Sequence, residues 1–376
     1  MIPVARPDLG EEEAAAAREA ILSGWVTQGP QVARFEAAFA EYVGAPHACA
    51  VSSCTTALHL ALHALGVGNG DEVITVSHSF IATANAVRYC GATPVFVDIE
   101  SSSYNIDPDR VAAAITPRTR AILAVHQMGF PCDIEAVVEI ARRAGIPVVE
   151  DAACAIGTEF RVGSRWERVG KPHGDVACFS FHPRKVITTG DGGMLTTRSE
   201  ELDAKFRLLR QHGMSVTDRQ RHEAKHVIFE EYPIVGYNYR MTDIQAAVGR
   251  VQLQRLPELL ERRREWARYY EAALSSIPGI QPLPEREDHR PNYQSYPVRV
   301  SSEYPATRDE LMSRMLEAGI ATRRGIMNAH QEAAYGGECR ADLINSERAR
   351  DEVILLPLYP SMTQAELDAV IGMIQP

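Results

Sequence analysis

The sequence predicts an α/β protein of two domains: a parallel sheet covered by helices on both faces, followed by a smaller α/β unit. Three observations carry this. From Ala48 to Gly190 short apolar runs alternate with helical patterns, which is the pattern of βαβ units. Pro282, Pro284, Pro291 and Pro297 then mark looser connections before a shorter α/β stretch. A length of 376 residues suits two domains, and a composition 45% hydrophobic and 23% charged supplies a large core.

Taken in order, Asp8 or Gly10 caps a first helix to about Leu22, with Glu11, Glu12 and Glu13 favouring its dipole. Candidate strands are ACAVS (48–52), DEVITV (71–76), TPVFVDI (93–99), RAILAV (120–125), IPVVED (146–151) and VACFSF (176–181). Between them lie helical patterns at TTALHLALHAL (55–65), FIATANAVRYC (80–90) and DIEAVVEIARRAG (133–145). A long helix is expected from Asp243 to about Leu274, interrupted near Pro257. The C-terminal unit reads as a strand at YPVRV (296–300), a helix at RDELMSRMLEAG (308–319) and a final helix from Thr363. We place the large domain at 1–245 and the small one at 246–376.

A net charge of −10 argues against nucleic acid or an anionic membrane as the main partner. The seven cysteines are scattered and odd in number, with no CxxC pair, which suits a reducing compartment. The N-terminus has no apolar signal core, and no apolar run approaches the roughly 18 residues of a membrane span. A soluble cytoplasmic protein is expected.

Ligands of an open parallel sheet bind outside the carboxyl ends of the strands, which selects the loops SSCTT (52–56), SHSF (77–80), EDAAC (150–154) and SFHPRK (180–185). Other features invite chemistry and lack its context. Gly66, Gly68 and Gly70 follow a helix and precede a strand, the reverse of a dinucleotide fingerprint, and read as a turn. His59 and His63 have ligand spacing without a HExxH glutamate or a third ligand, so they read as packing or surface residues, and no metal is expected. ERRRE (261–265) reads as a solvated helix face. Neither a GxSxG elbow nor a GxxxxGK[ST] loop occurs.

Four features remain. Lys185 lies where a strand enters a polar loop and a Gly-rich turn. An amine partly desolvated there has a lowered pKa and is nucleophilic toward an aldehyde, whereas most lysines are solvated charges. Asp151 ends an apolar strand; it could cap the next helix or pair with a protonated pyridine nitrogen. SSCTTAL opens a helix, where small hydroxyl residues act as caps or help to cradle a phosphate. Phe80 could be core or could stack on a cofactor ring.

With these residues in place the chain resembles the DegT/DnrJ/EryC1/StrS family of pyridoxal 5′-phosphate (PLP)-dependent sugar aminotransferases. The likeness covers nearly the whole chain, including GATPVFVDI, VVEDAACAIG, FSFHPRKVITTGDGGMLTT, VGYNYRMTDIQAAVG and LLPLYPSMT. It implies the fold type I architecture, with a mainly parallel seven-stranded sheet in the large domain, and a homodimer with active sites at the subunit interface. It also implies roles. Lys185 matches the Schiff-base lysine and proton shuttle, and Asp151 the pyridine-nitrogen partner. Cys54 and Thr55 fall in the phosphate loop, Ser180 matches a phosphate-binding serine, Phe80 a ring stacker, and Asn238 an asparagine reaching the neighbouring subunit's phosphate. Three positions depart from the family. Cys54 stands where glycine is usual, so its side chain must turn away from the phosphate or the loop must shift. Cys154 stands for glutamine or histidine, and Asp191 for glutamate.

The resemblance further implies ping-pong transfer from L-glutamate, through pyridoxamine phosphate, to a keto sugar, most often a nucleotide-linked 4-keto-6-deoxyhexose. A keto-cyclitol acceptor and a non-enzymatic regulatory role on the same scaffold are the alternatives. Arg207, Arg210, Arg219, Arg221 and Lys225 could meet a nucleotide diphosphate or be solvated, and His330 falls near the family's sugar site.

Overall fold

A computed structural model describes residues 1–217, 221–222, 224–336 and 342–375. The predicted Arg219 contact lies outside these residues. Helices α1 (Glu11–Leu22) and α2 (Pro30–Val43) lead into β1 (His47–Val51), α3 (Cys54–Ala64), β2 (Glu72–Val76), α4 (Ala82–Tyr89) and β3 (Thr93–Val97). Next come α5 (Pro108–Ala114), β4 (Thr119–Val125), α6 (Ile134–Ala144) and β5 (Val148–Asp151). The strands β6 (Glu159–Val162) and β7 (Arg165–Arg168) precede β8 (Val176–Ser180), β9 (Gly193–Thr197) and α7 (Glu200–Leu209).

The sheet has seven strands in the order β1-β9-β8-β5-β4-β2-β3, as expected. Pairings β2–β3, β2–β4, β4–β5 and β5–β8 are parallel, and β9 alone runs against its neighbours β1 and β8. Both faces are buried, so the strands are apolar without alternation. Cys49, Val73, Leu123, Val149 and Cys178 pack under α3 and α7. Ala50, Ile74, Ile122, Val148 and Phe179 pack under α2, α6 and the long helix α8 (Asp243–Leu274). Asp151 therefore shares its face with Val149, whereas Glu150 points to the other side and bonds His126 at 3.0 Å.

The remaining chain forms β10 (Ile280–Pro282), β11 (His289–Arg290), β12 (Tyr296–Val300), α9 (Arg308–Glu317), β13 (Arg323–Arg324), α10 (Ile344–Glu352), β14 (Val353–Leu356) and α11 (Gln364–Ile374). A four-stranded sheet β10-β12-β14-β13 organises this part, and β11 joins β6 and β7 in a three-stranded sheet that the sequence pattern did not indicate. No helix among the described residues is long and apolar enough to cross a membrane.

Three expectations are corrected. The long helix runs through Pro257 without interruption. Losing one backbone bond at proline costs about 3 kcal/mol, while buried Leu253, Leu256, Leu259 and Leu260 hold the helix on both sides of it. ERRRE is not simply a solvated face. Arg263 shares the helical face of Leu256, Leu259 and Tyr270, is buried, and donates to the carbonyls of Tyr293 (3.0 and 2.7 Å) and Gln294 (2.9 Å). Burial lowers its pKa to about 10. Arg207, half-buried, and Arg210, buried, are engaged within the fold and are not free for a diphosphate. They clamp buried Glu36 at 2.7 and 2.5 Å, and donate to the carbonyls of Ala48 and Ala50. At the N-terminus Gly10 is the cap of α1, and Asp8 pairs instead with Arg255.

Candidate active site

The loops after β1, β2, β5 and β8 open on the same edge of the sheet. After β1, Ser53 caps α3 by accepting the Thr56 N–H at 3.2 Å. The N–H groups of Cys54 and Thr55 have no acceptor within the helix, which leaves donors and a positive dipole end for an anion. Cys54 turns away from that end: its Sγ lies 3.6 Å from the Cys178 carbonyl, in the core beneath α3. The departure from glycine is thus accommodated by direction. The glycine that this loop does require is Gly193 at the start of β9. A Cβ there would sit 2.4 Å from the Ser53 carbonyl and 2.7 Å from the Cys54 nitrogen. Gly193→Ala is expected to displace the cradle at about 1–3 kcal/mol, which is roughly a 5- to 150-fold rise in the Kd for PLP by spectrophotometric titration. Unchanged affinity would remove the cradle from this loop.

Across the opening, Asp151 is 4% exposed. Its Oδ2 accepts the Thr83 hydroxyl at 2.8 Å, its Oδ1 accepts the Ala153 N–H at 3.1 Å, and Ser79 bonds Thr83 at 2.7 Å. Burial pushes the carboxyl above the usual carboxylate range, partly offset by the Thr83 hydroxyl, the Ala153 N–H and Lys185. An anion that is destabilised in this way is completed by a cation such as a protonated pyridine nitrogen.

Lys185 Nζ donates to Cys154 Sγ at 3.1 Å. Burial works to lower its pKa, but the contact with Cys154 and the nearby Asp151 outweigh it, and the amine lies above its ordinary value. The expected depression is therefore reversed, because the amine faces acidic groups as well as apolar walls. A cation paired with Asp151 would withdraw part of that stabilisation.

A strap from 291 to 296, leading into β12, fixes both sides of this contact. Asn292 Nδ2 donates to the carbonyls of Cys154 and Ile156, both at 2.8 Å, and Gln294 Nε2 donates to the carbonyl of Arg184 at 2.5 Å. Thr83, Gly193, Asn292 and Gln294 were all missed in the sequence. Hydroxyls flanking Phe80 and the Gly-rich turn after Lys185 were the available signals for the first two; the strap has none.

Other predicted residues take these positions. Ser180 ends β8, and its Oγ accepts the His182 N–H at 3.4 Å. Phe80 precedes α4 and is 62% exposed. Asn238 bridges Gln211, beside a segment whose Tyr239 carbonyl accepts the Ser52 N–H at 2.9 Å. His330 docks on the loop after β2: Nδ1 meets Ser77 Oγ at 2.7 Å and Nε2 meets Glu347 at 3.1 Å, so both ring nitrogens are engaged. Arg221 pairs with Glu230 at 3.3 Å. His59 packs among Tyr89, Tyr237 and Tyr239, with Nδ1 3.1 Å from the Tyr239 hydroxyl.

An anion cradle, a buried carboxylate that a cation would stabilise and an amine at the same opening fit a phosphorylated pyridine aldehyde. A mainly parallel seven-stranded sheet with such groups at one edge is the arrangement of a fold type I PLP-dependent aminotransferase. The DegT/DnrJ/EryC1/StrS aminotransferase family model matches residues 7–375. The spore coat polysaccharide biosynthesis protein SpsC of Bacillus subtilis is 40% identical over 375 residues, spanning 98% of this chain and 95% of its own. The aminotransferase TlmJ of Streptoalloteichus hindustanus superposes with a TM-score of 0.91 at 38% identity, covering 100% of this chain and 98% of its own. Spr1654 of Streptococcus pneumoniae, in its PMP form, superposes at 0.92 with 29% identity, covering 100% and 98%, and is also solved in a PLP form. The chain belongs to the DegT/DnrJ/EryC1/StrS aminotransferase family, whose solved members include sugar aminotransferases.

Proposed function

We propose that this enzyme moves an amino group from L-glutamate to a nucleotide-linked 4-keto-6-deoxyhexose, with PLP held covalently through Lys185. The observation that carries the reading is the meeting of Lys185 with the Asp151 loop at the open edge of the sheet, the amine 3.1 Å from Cys154. Asp151 pairs with the ring nitrogen and keeps its proton in place. The α3 N-terminus at Cys54 and Thr55, with Ser180, holds the phosphate. Phe80 covers the ring, and Cys154 sits beside the amine. PLP supplies the electron sink that lets a carbon–hydrogen bond next to nitrogen ionise. Lys185 Nζ carries that proton between the donor's α-carbon and the cofactor, and must be neutral to accept it.

The active form is a homodimer in which Asn238 reaches the neighbouring subunit's phosphate. Val227, Phe229 and Val235 are 78%, 86% and 88% exposed, an apolar run that a second copy would cover. The test is a panel of nucleotide-linked keto sugars and keto-cyclitols offered to the glutamate-reduced enzyme, reading the return of the visible PLP absorbance. Return with a 4-keto-6-deoxyhexose nucleotide is expected. Return with a keto-cyclitol and no nucleotide sugar would overturn the acceptor.

A further inference from the structure

We propose that Cys154 and Lys185 form a site of reversible oxidative modification, at which peroxide joins Cys154 Sγ to Lys185 Nζ through a sulfenamide bond when the cofactor is absent. The inference goes beyond the proposed reaction and does not depend on the acceptor.

Three features support it. First, the atoms are already in contact, N to S at 3.1 Å. Second, the contact is held from both backbones. Asn292 grips the Cys154 carbonyl at 2.8 Å and Gln294 grips the Arg184 carbonyl at 2.5 Å, only one residue from Lys185. The Gln294 N–H bonds Asn292 Oδ1 at 2.7 Å, so one short strap joins the two grips. Arg263 anchors the strap through the Tyr293 and Gln294 carbonyls, and Gly129 lets it approach, because a Cβ there would lie 1.9 Å from Asn292 Oδ1. Third, exposure narrows the choice among the cysteines of the described residues. Cys154 and Lys185 are both half-buried at the opening, whereas Cys49, Cys54, Cys132 and Cys178 are buried. Burial pushes the Cys54 and Cys178 thiols well up, and pushes half-buried Cys90 up to about 12, which keeps these sulfurs protonated and unreactive.

The chemistry balances with hydrogen peroxide as oxidant. Cys154 sulfur attacks one peroxide oxygen, the O–O bond breaks, and one water leaves, giving the sulfenic acid. Lys185 gives up its ammonium proton to solvent, and the neutral nitrogen then attacks sulfur. The S–O bond breaks, nitrogen loses a proton, and a second water leaves as the S–N bond forms. Two equivalents of an external thiol return the free cysteine and lysine together with one disulfide. While the bond stands, Nζ cannot hold PLP.

The full-length protein, stripped of PLP, is treated with peroxide and digested with trypsin without reduction. A linked pair of peptides containing Cys154 and Lys185, about 2 mass units lighter than their sum, is expected, with cleavage after Lys185 blocked. Dithiothreitol should abolish the link and restore PLP uptake. Recovery of Cys154 only as sulfinic or sulfonic acid, or in a disulfide, with normal cleavage at Lys185, would overturn the proposal. A pair heavier by one oxygen than the sulfenamide would be an N–O–S bridge and would overturn the direct bond. Preloading with PLP is expected to suppress the link. Equal linking with PLP bound would leave the cross-link standing and sink the role of Lys185 as cofactor anchor.

Discussion

Lys185→Ala is expected to leave a folded protein that no longer retains PLP through gel filtration and is not labelled by borohydride trapping. Its amine makes one hydrogen bond, to Cys154, so little of the fold depends on it. The chain has only four lysines, Lys171, Lys185, Lys205 and Lys225, which makes the test sharp. Lys171 pairs with Glu167 at 2.5 Å and Lys205 donates to the Ala64 carbonyl at 2.7 Å, so neither is placed to substitute. Loss of the proton carrier alone should slow the glutamate half-reaction by roughly 10²- to 10⁴-fold, read in single-turnover absorbance, and loss of covalent catalysis adds to that. Retention of borohydride-fixed PLP on another lysine, with unchanged turnover, would end the assignment.

Asp151→Asn should separate binding from chemistry. The amide is nearly the same size and can still meet the Thr83 hydroxyl and the Ala153 N–H, so PLP should still attach at Lys185. What is lost is the charge opposite the ring nitrogen. Removing one partner of a buried ion pair costs about 3–5 kcal/mol, which is about 10²- to 4 × 10³-fold in half-reaction rate at 1.4 kcal/mol per tenfold. The pH profile should also respond. Burial raises the Asp151 carboxyl, so its ionisation opposes folding in full above that raised value, and the penalty fades as pH falls from there to the ordinary carboxylate value. PLP binding should therefore raise Tm at neutral pH, and the gain should shrink in Asp151→Asn. An equal gain in both proteins would mean that Asp151 does not face the ring.

Much of this site was legible because chemistry-bearing residues fall at strand ends. The run VVED places Asp151 two residues past a pair of buried valines, and CFSFHPRK places Lys185 just beyond β8, so the βαβ pattern alone brings both to the same edge. Other contacts were not legible. Glu150 and Asp151 read alike as adjacent acids, yet alternation across a sheet buried on both faces sends one to His126 and the other to Thr83. Arg263 looks like its solvated neighbours in ERRRE until the strap covers that face of α8. Arg207 and Arg210 read as free cations until α7 packs against β1 and their side chains reach Glu36 of α2.

By itself the sequence determined the order of elements, the two-sided burial of the sheet, and the lysine and aspartate at its open edge. These follow from local periodicity and chain order, which are properties of neighbouring residues. Only the tertiary structure decided the direction of Cys54, the need for glycine at 193, the partners of the arginines and the strap that holds Cys154 against Lys185. Each depends on groups many tens of residues apart, and whether a charge or thiol is solvated or paired depends on what packs over it.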